Sequence, residues 1–338
     1  MRPPDAGGSV NHLRALGEAF PAGAQLTDPG LLVGRRQQLL EILQTLQIPG
    51  LCPIVFGARG VGKSTLAWQA ELAARGSTEV LDAIAAARYG PGAETSYLTF
   101  SLSCAHQAIP DGTAVLGAIL GMLTSKRREL SGPAGGLVPV EQQVNLDLSL
   151  MPKLGVTRKY QQSTANRSPE NLVQDLIDVA TDITTASHQR VLVVVDDLDR
   201  IGDTAEVASF VRTVAEASPV DLRLMLVGST EKVGTLVRDY AQLERIAIDV
   251  EVPRMSVDEL VRLVSLGVAK LQAQGIGYDF ATELVRSIAT IASGLPSTAA
   301  QLAREAIRAA EREDTRTVCR DHLDHALQRF IAAIQSKR

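Results

Sequence analysis

Gly57-Ala58-Arg59-Gly60-Val61-Gly62-Lys63-Ser64 places three glycines, a lysine and a hydroxyl at one bend, in the order G-x-x-x-x-G-K-[ST]. Each type has a physical reason to be there. Glycines open backbone conformations closed to other residues and let amides approach phosphate oxygens. Those amides and the start of a following helix form an anion hole. Lys63 then reaches the β- and γ-phosphates of a nucleotide, Ser64 offers its hydroxyl to Mg²⁺, and Thr65 follows in the same turn. Leu51–Phe56 before the bend has the pattern of a buried strand, and "TLAWQAELAA" after it that of a helix. This strand–loop–helix context separates a phosphate cradle from a glycine turn with an exposed lysine.

A nucleotide hydrolase also needs a carboxylate toward the metal and a group that activates water. "VLVVVDDLDR" supplies both: Val191–Val195 is an apolar run, with Asp196 and Asp197 at its carboxyl end. In open α/β sheets, ligands bind at that edge. Asp196 would hold Mg²⁺, mainly through water, and Asp197 would polarise the attacking water. Asp199 and Arg200 are expected to be structural. "LRLMLVG" ends in Ser229-Thr230, a polar pair placed to meet the water or the γ-phosphate.

Five strands are expected to position these groups: Leu51–Phe56, Tyr97–Ser103, Val191–Asp196, Leu222–Gly228 and Ile246–Val252. Most are short and apolar, as buried parallel strands are, and helical stretches separate them, so the fold class is α/β. A helix is expected from Arg36. Residues 1–30, rich in Pro and Gly, should form a flexible leader with a short helix near Val10–Phe20. Between Gly132 and Asn166, "VNLDLSL" alternates strictly and predicts a β-hairpin inserted in the core, carrying partner specificity or covering a sheet edge. After Pro253 the strands should end. Ser256 and Glu259 are spaced as a capping box, and helices are expected over about Asp279–Ser293, Pro296–Arg312 and Thr317–Ser336.

The totals exclude several classes. The formal net charge is −4, so nucleic-acid binding would need a local basic patch. Lys126-Arg127-Arg128 has no interleaved aromatics and is expected to be a solvated helix end. No apolar run approaches the ~18 residues of a membrane helix, and the start lacks a secretion signal. Cys52, Cys104 and Cys319 stand far apart and are expected to be reduced thiols in a cytoplasmic protein. His322 and His325, one turn apart with Asp321 and Asp324, have a spacing able to bind metal but are expected to form a polar helix face.

Beyond these readings, the chain from about Leu31 to Leu327 resembles the AAA+ and STAND branches of the P-loop ATPases. "LVGRRQQL" is similar to the Gly-Arg segment that lines their adenine pocket, which implies that Val33, Gly34 and Arg35 lie near the nucleotide. "VLVVVDDLDR" resembles the double-aspartate Walker B of STAND and KAP-type proteins. Thr230, or Ser229, matches the sensor 1 place. "ERIAIDVEVPRMSVDEL" looks like the last core strand followed by the lid, which puts Arg245 where an arginine finger lies, with Arg238 as an alternative. The competing reading pairs Arg245 with a local acid. "SGLPSTAAQL" matches the lid segment that meets nucleotide through Pro296. It carries Ser297 and Thr298 where AAA+ motors have an arginine, which fits the STAND pattern better.

The resemblance implies a three-layer P-loop fold of the ASCE type with strand order 5-1-4-3-2. The expected division is a leader at 1–30, an ATPase core at 31–252 and a helical lid at 253–338. It implies ATP or ADP with Mg²⁺ as cofactors, catalytic roles for Asp197, Lys63, Thr230 and Arg245, and homo-oligomers on ATP binding. The expected function is a slowly hydrolysing regulatory switch whose input or output comes from an unidentified protein partner. The alternatives are a DNA-associated AAA+ ATPase of the initiator, loader or transposition type, or an ATP-binding scaffold without turnover. A nucleic-acid partner stays open without a supporting feature, and no membrane partner is expected.

Overall fold

The computed structural model describes residues 6–21, 28–83, 96–105, 111–131, 169–201, 205–217, 222–239 and 241–336. The β-hairpin expected within 132–166 lies outside the described residues. In chain order the elements are α1 (Ala6–Ala19), α2 (Arg36–Gln47), β1 (Cys52–Gly57), α3 (Lys63–Ala74), α4 (Thr78–Ala83), β2 (Tyr97–Ser103), α5 (Gly112–Ser131), α6 (Pro169–Ser187) and β3 (Arg190–Asp196). They continue with α7 (Ala205–Ala217), β4 (Leu222–Ser229), α8 (Thr230–Asp239), β5 (Ala247–Glu251), α9 (Val257–Ala273), β6 (Asp279–Phe280), α10 (Thr282–Ile291), α11 (Pro296–Arg312), β7 (Thr317–Val318) and α12 (Arg320–Gln335). No helix among the described residues is long and apolar enough to cross a membrane.

The chain divides into two compact units. One comprises Met1–Gln37, Ala58–Gln69 and Val252–Arg338; the other comprises Gln38–Gly57 and Ala70–Glu251. The phosphate loop therefore groups with the C-terminal helices, whereas the sequence reading places it in a core running from 31 to 252.

The second unit holds a parallel sheet in the order β2-β3-β4-β1-β5, the 5-1-4-3-2 order expected. The central strands are mostly apolar because both faces are covered; buried Arg223 of β4 is an exception, donating from Nε to Leu46 O at 3.1 Å. Val191, Leu192, Val193 and Val195 of β3 are fully buried. Along one face, Val193 and Val195 join Ile54, Leu102 and Leu226 against α5, α6 and α7, through Ile119, Leu123, Leu172, Leu176 and Phe210. Each such side chain contributes about 1.5–3 kcal/mol on burial. Register does the positioning: Ser103 pairs with Asp196, and Gly57 pairs with Ser229. Parallel strands bring these four carboxyl-end residues to one edge.

The first unit is built around α9, α11 and their neighbours. Leu16 and Phe20, at the end of α1 and just beyond it, enter the same apolar cluster as Leu260, Leu271, Ile288, Ala303 and Ile307. The expected flexible leader is corrected here: its described helix is packed on α9, because four buried residues (Ala15, Leu16, Ala19 and Phe20) form one apolar stripe despite the Pro- and Gly-rich flanks. The expected all-helical lid is also corrected. β6 and β7 form a two-residue parallel ladder, Asp279 with Thr317 and Phe280 with Val318. Segments this short show no alternation in sequence. The Ser256–Glu259 capping box opens α9 as expected: the Ser256 amide donates to Glu259 Oε2 at 2.7 Å, and the Glu259 amide to Ser256 Oγ at 3.2 Å.

Candidate functional site

Gly57 ends β1, the loop runs through Ala58–Gly62, and Lys63 opens α3. Ala58 and Arg59 are exposed, Val61 is buried, and Lys63, Ser64 and Thr65 are half-buried at the helix N-terminus, where the first-turn amides and the helix dipole favour an anion. Gly60 sits at φ 83°, and a Cβ there would come within 2.6 Å of Ser297 Oγ. The left-handed backbone favours glycine here, and a Cβ would also push the Ser297 hydroxyl from its place.

The loop is held by its carbonyls. Arg35 is 4% exposed, and its Nη2 donates to Val61 O at 3.1 Å and to Pro253 O at 2.8 Å. Burial lowers the guanidinium's pKa and the charge of Glu259 opposes that; a buried arginine of this kind is kept by its hydrogen bonds. Ser297 Oγ donates to Gly60 O at 3.1 Å. Lys63 Nζ donates to Ala58 O at 3.1 Å. Val33 is buried in the apolar cluster of this unit. Gly34, at φ 69°, faces the Glu259 carboxylate, and a Cβ would overlap it. Of the three residues expected near the nucleotide, Arg35 has its guanidinium committed to backbone carbonyls.

Pro296 is the first residue of α11, whose N-cap residue Leu295 offers no side-chain cap. The turn before it, with Ser293 at φ 49° and Gly294 at φ 83°, is tied back by Arg254 Nη1 to Ser293 O at 2.7 Å and by the Met255 amide to Gly294 O at 3.0 Å. Sequence reasoning missed Arg254 and the bond from Ser297, since neither follows from local spacing.

In the second unit, Asp196 and Asp197 close β3. Asp197 has φ 59° and ψ 41°, an uncommon conformation for a non-glycine residue. The Asp197 amide donates to Asp196 Oδ1 at 2.7 Å, and Ser103 Oγ donates to Asp197 Oδ2 at 2.7 Å. Asp199 Oδ1 accepts the Ser229 amide at 2.7 Å, and Ser229 Oγ accepts the Lys232 amide at 3.3 Å. The two acidic positions therefore tie β3 to β2 and to β4. Thr230 is exposed as the first residue of α8. Arg245 ends a short 3-10 turn, Ala241–Arg245, and is exposed; the side chain of Arg238 lies outside the described residues.

Glu71 is a member of this carboxylate group that the sequence did not signal. It is 2% exposed, accepts from Ser101 Oγ, and lies 3.7 Å from Arg75 Nη2. Burial pushes its pKa up to about 7, against the pull of Ser101 and Arg75, and Asp196 adds to the rise. Cys104, beside the aspartates, is pushed up to about 12, by burial first and then by Asp197 and Asp196. The Ser64 hydroxyl of the first unit and the Asp196 carboxylate of the second are each a hard oxygen donor of the type that Mg²⁺ takes.

A five-stranded parallel sheet in this order, a phosphate loop leaving β1 and an aspartate pair ending β3 define the P-loop nucleotide-binding fold. Among solved structures the chain is similar to the Aeropyrum pernix ORC1 protein in complex with DNA, at 14% identity and a TM-score of 0.57, covering 93% of this chain and 69% of that one. It is similar to the Aeropyrum pernix ORC2 protein in its ADPNP–ADP complexes, at 15% identity and a TM-score of 0.55, covering 92% and 71%. It is also similar to a Walker-type ATPase of Pyrococcus abyssi, at 15% identity and a TM-score of 0.53, covering 90% and 74%. No protein-family model and no curated protein sequence matches the chain. The chain has the α/β fold of these structures.

Proposed function

We propose that the chain is a regulatory ATPase of the AAA+/STAND kind, in which bound ATP fixes the phosphate loop and the lid turn in one arrangement and slow hydrolysis releases it. The observation that carries this reading is the pair of side-chain ties on the loop carbonyls, Arg35 to Val61 O and Ser297 to Gly60 O. Moving the loop around a phosphate must strain or break a bond to the lid serine, so occupancy is felt at Pro296 and Ser297. The double aspartate and the serine at the place of a motor's arginine support the STAND-like form.

The amides of residues 58–64 would receive the phosphates, and the Lys63 ammonium would leave Ala58 O for the β- and γ-oxygens. Ser64 and Asp196 would hold Mg²⁺, which neutralises phosphate charge when bound. Asp197 would polarise the attacking water and take its proton, with Ser103 as the positioning residue that fixes its Oδ2. Val33, Gly34 and Pro296 would border the base and ribose, and Thr230 or Ser229 would face the γ-phosphate. The exposed Arg245 would serve a neighbouring copy in an ATP-dependent homo-oligomer, and a protein partner would supply input or output.

Two variants test the reading. Lys63→Ala should weaken nucleotide binding about a hundredfold, and Asp197→Asn should keep binding while phosphate release slows about a thousandfold. Normal hydrolysis by Asp197→Asn would remove the role given to Asp197. Binding without turnover in the unmodified chain would leave a scaffold. A second reading, a DNA-associated ATPase, draws support from the fold likeness to the ORC1 protein in complex with DNA. Fluorescence anisotropy with a labelled duplex, with and without ATP, decides it: ATP-dependent binding supports the second reading and no binding excludes it.

A further inference from the structure

The N-terminal segment runs along the lid and ends at the phosphate loop. Its described stretches are 6–21 and 28–35; residues 22–27 lie outside the described residues. Both stretches, α9, α11 and the phosphate loop belong to the first unit. On α1, His12 Nε2 bonds to Glu311 Oε1 of α11, which also accepts the Tyr278 hydroxyl at 2.7 Å. Phe20 and the Ala19 carbonyl seat against Gly267 of α9: a Cβ there would come within 2.5 Å of the Phe20 ring and 2.9 Å of Ala19 O. One turn along α9, Lys270 Nζ donates to Asp28 Oδ2 at 2.7 Å, and the 3-10 turn Pro29–Leu31 packs on the same helix. At the first turn of α9, Gly34 abuts the Glu259 carboxylate. Arg35 follows, with its guanidinium on Val61 O and Pro253 O.

We infer that this segment is a regulatory strap: the docking of α1 on α9 sets the order of the phosphate loop, with Arg35 as the positioning residue at the strap's end. Arg35 is a buried cation, and an arginine away from water must keep its hydrogen bonds. Its backbone is fixed in turn by the seats on α9 at Lys270 and Glu259. The seat of α1 itself is a glycine that one added carbon would fill. Docked α1 holds Arg35 against the Val61 carbonyl. Lifting α1 from α9 slackens Arg35 and loosens the loop around Val61.

The docked state has its own source of stability, since Ala15, Leu16, Ala19 and Phe20 are buried in the lid's apolar cluster. The strap is a regulation of the proposed nucleotide site and rests on that reading for its effect on ATP affinity. Its effect on loop order does not depend on nucleotide.

Gly267→Ala in the full chain tests it. Alanine is the better helix former, so α9 keeps its structure, while the new Cβ meets backbone at Ala19 and pushes the end of α1 away. Hydrogen exchange without nucleotide should quicken about tenfold at residues 12–20 and also at residues 60–66, where the Leu66 amide donates to Gly62 O. Arg35→Gln should give the same loop rate, and Gly267→Ala added to Arg35→Gln should raise it no further. Affinity for an ATP analogue should fall about tenfold in each variant. Should Gly267→Ala fail to fold, His12→Ala removes the tie from α1 to α11 and should quicken the loop about threefold. Faster exchange confined to residues 12–20, or loop effects of Gly267→Ala and Arg35→Gln that add in full, overturns the strap. An unsubstituted chain that binds no ATP analogue overturns the nucleotide reading instead, and the exchange result still decides the strap.

Discussion

The phosphate loop and the aspartate pair are positioned by different means. The aspartates are set by the sheet itself: Ser103 is the register partner of Asp196 and donates to Asp197, and Asp199 accepts from Ser229 on the other neighbouring strand. Shifting them means shifting a buried parallel ladder. The loop has no such ladder. Arg35 and Ser297, from segments on either side of the sheet-forming region in sequence, hold it by single hydrogen bonds to its carbonyls. Each such bond contributes about 0.5–1.5 kcal/mol, or more where the donor is charged. On the proposed reading, the carboxylate edge would keep its geometry through a nucleotide cycle and the lightly held loop would change with occupancy.

Substitutions at the rigid edge should therefore act on turnover, and those at the loop on affinity. The largest effect is expected for Asp197→Asn, with kcat lowered about a thousandfold and nucleotide affinity unchanged, measured by single-turnover phosphate release beside equilibrium binding. A parallel loss of affinity would blur the distinction. Lys63→Ala should weaken ATP binding about a hundredfold, about 2.7 kcal/mol, in a titration with a fluorescent analogue.

Glu71 tests the rigid edge through pH. Its folded pKa, about 7, lies above the ordinary glutamate value of 4.5, so folding favours the protonated acid. That contribution is complete below pH 4.5 and is lost as pH rises through about 7. Glu71→Gln should therefore gain about 3 kcal/mol relative to the unsubstituted chain between pH 4.5 and 8, and then stay level. Urea melts across that range check it, and parallel stability curves would contradict it.

Smaller effects separate the two regions further. Ser103→Ala should lower kcat about tenfold with KM unchanged, because Asp197 keeps its backbone and loses one orienting donor. Ser297→Ala should leave kcat alone and alter ATP affinity about fivefold, the value of one hydrogen bond of about 1 kcal/mol.

What the sequence revealed follows the same division. The loop motif, the aspartates and all five strands were legible, because each is a local pattern: a bend with required residue types, or an apolar run with a polar end. The sheet order came by resemblance, and it holds. Ser103 and Glu71 were not legible, since their roles depend on strand register and on burial at a helix–strand contact. The tie from Ser297 to Gly60 spans 237 residues and leaves no local trace. Arg35 was legible as belonging near the loop, but its buried guanidinium serves carbonyls. The packing of α1 was hidden by flanking prolines and glycines, and β6 and β7 are two residues each, too short for any period.

The central claim is that nucleotide occupancy at the loop is transmitted to the lid turn. Hydrogen exchange measured with and without a slowly hydrolysed ATP analogue and Mg²⁺ tests it most directly. The account expects residues 58–64 and residues 293–298 to change protection together, and expects Ser297→Ala to uncouple them while the loop still responds. Protection confined to the loop in the unsubstituted chain, with 293–298 unchanged, would contradict it.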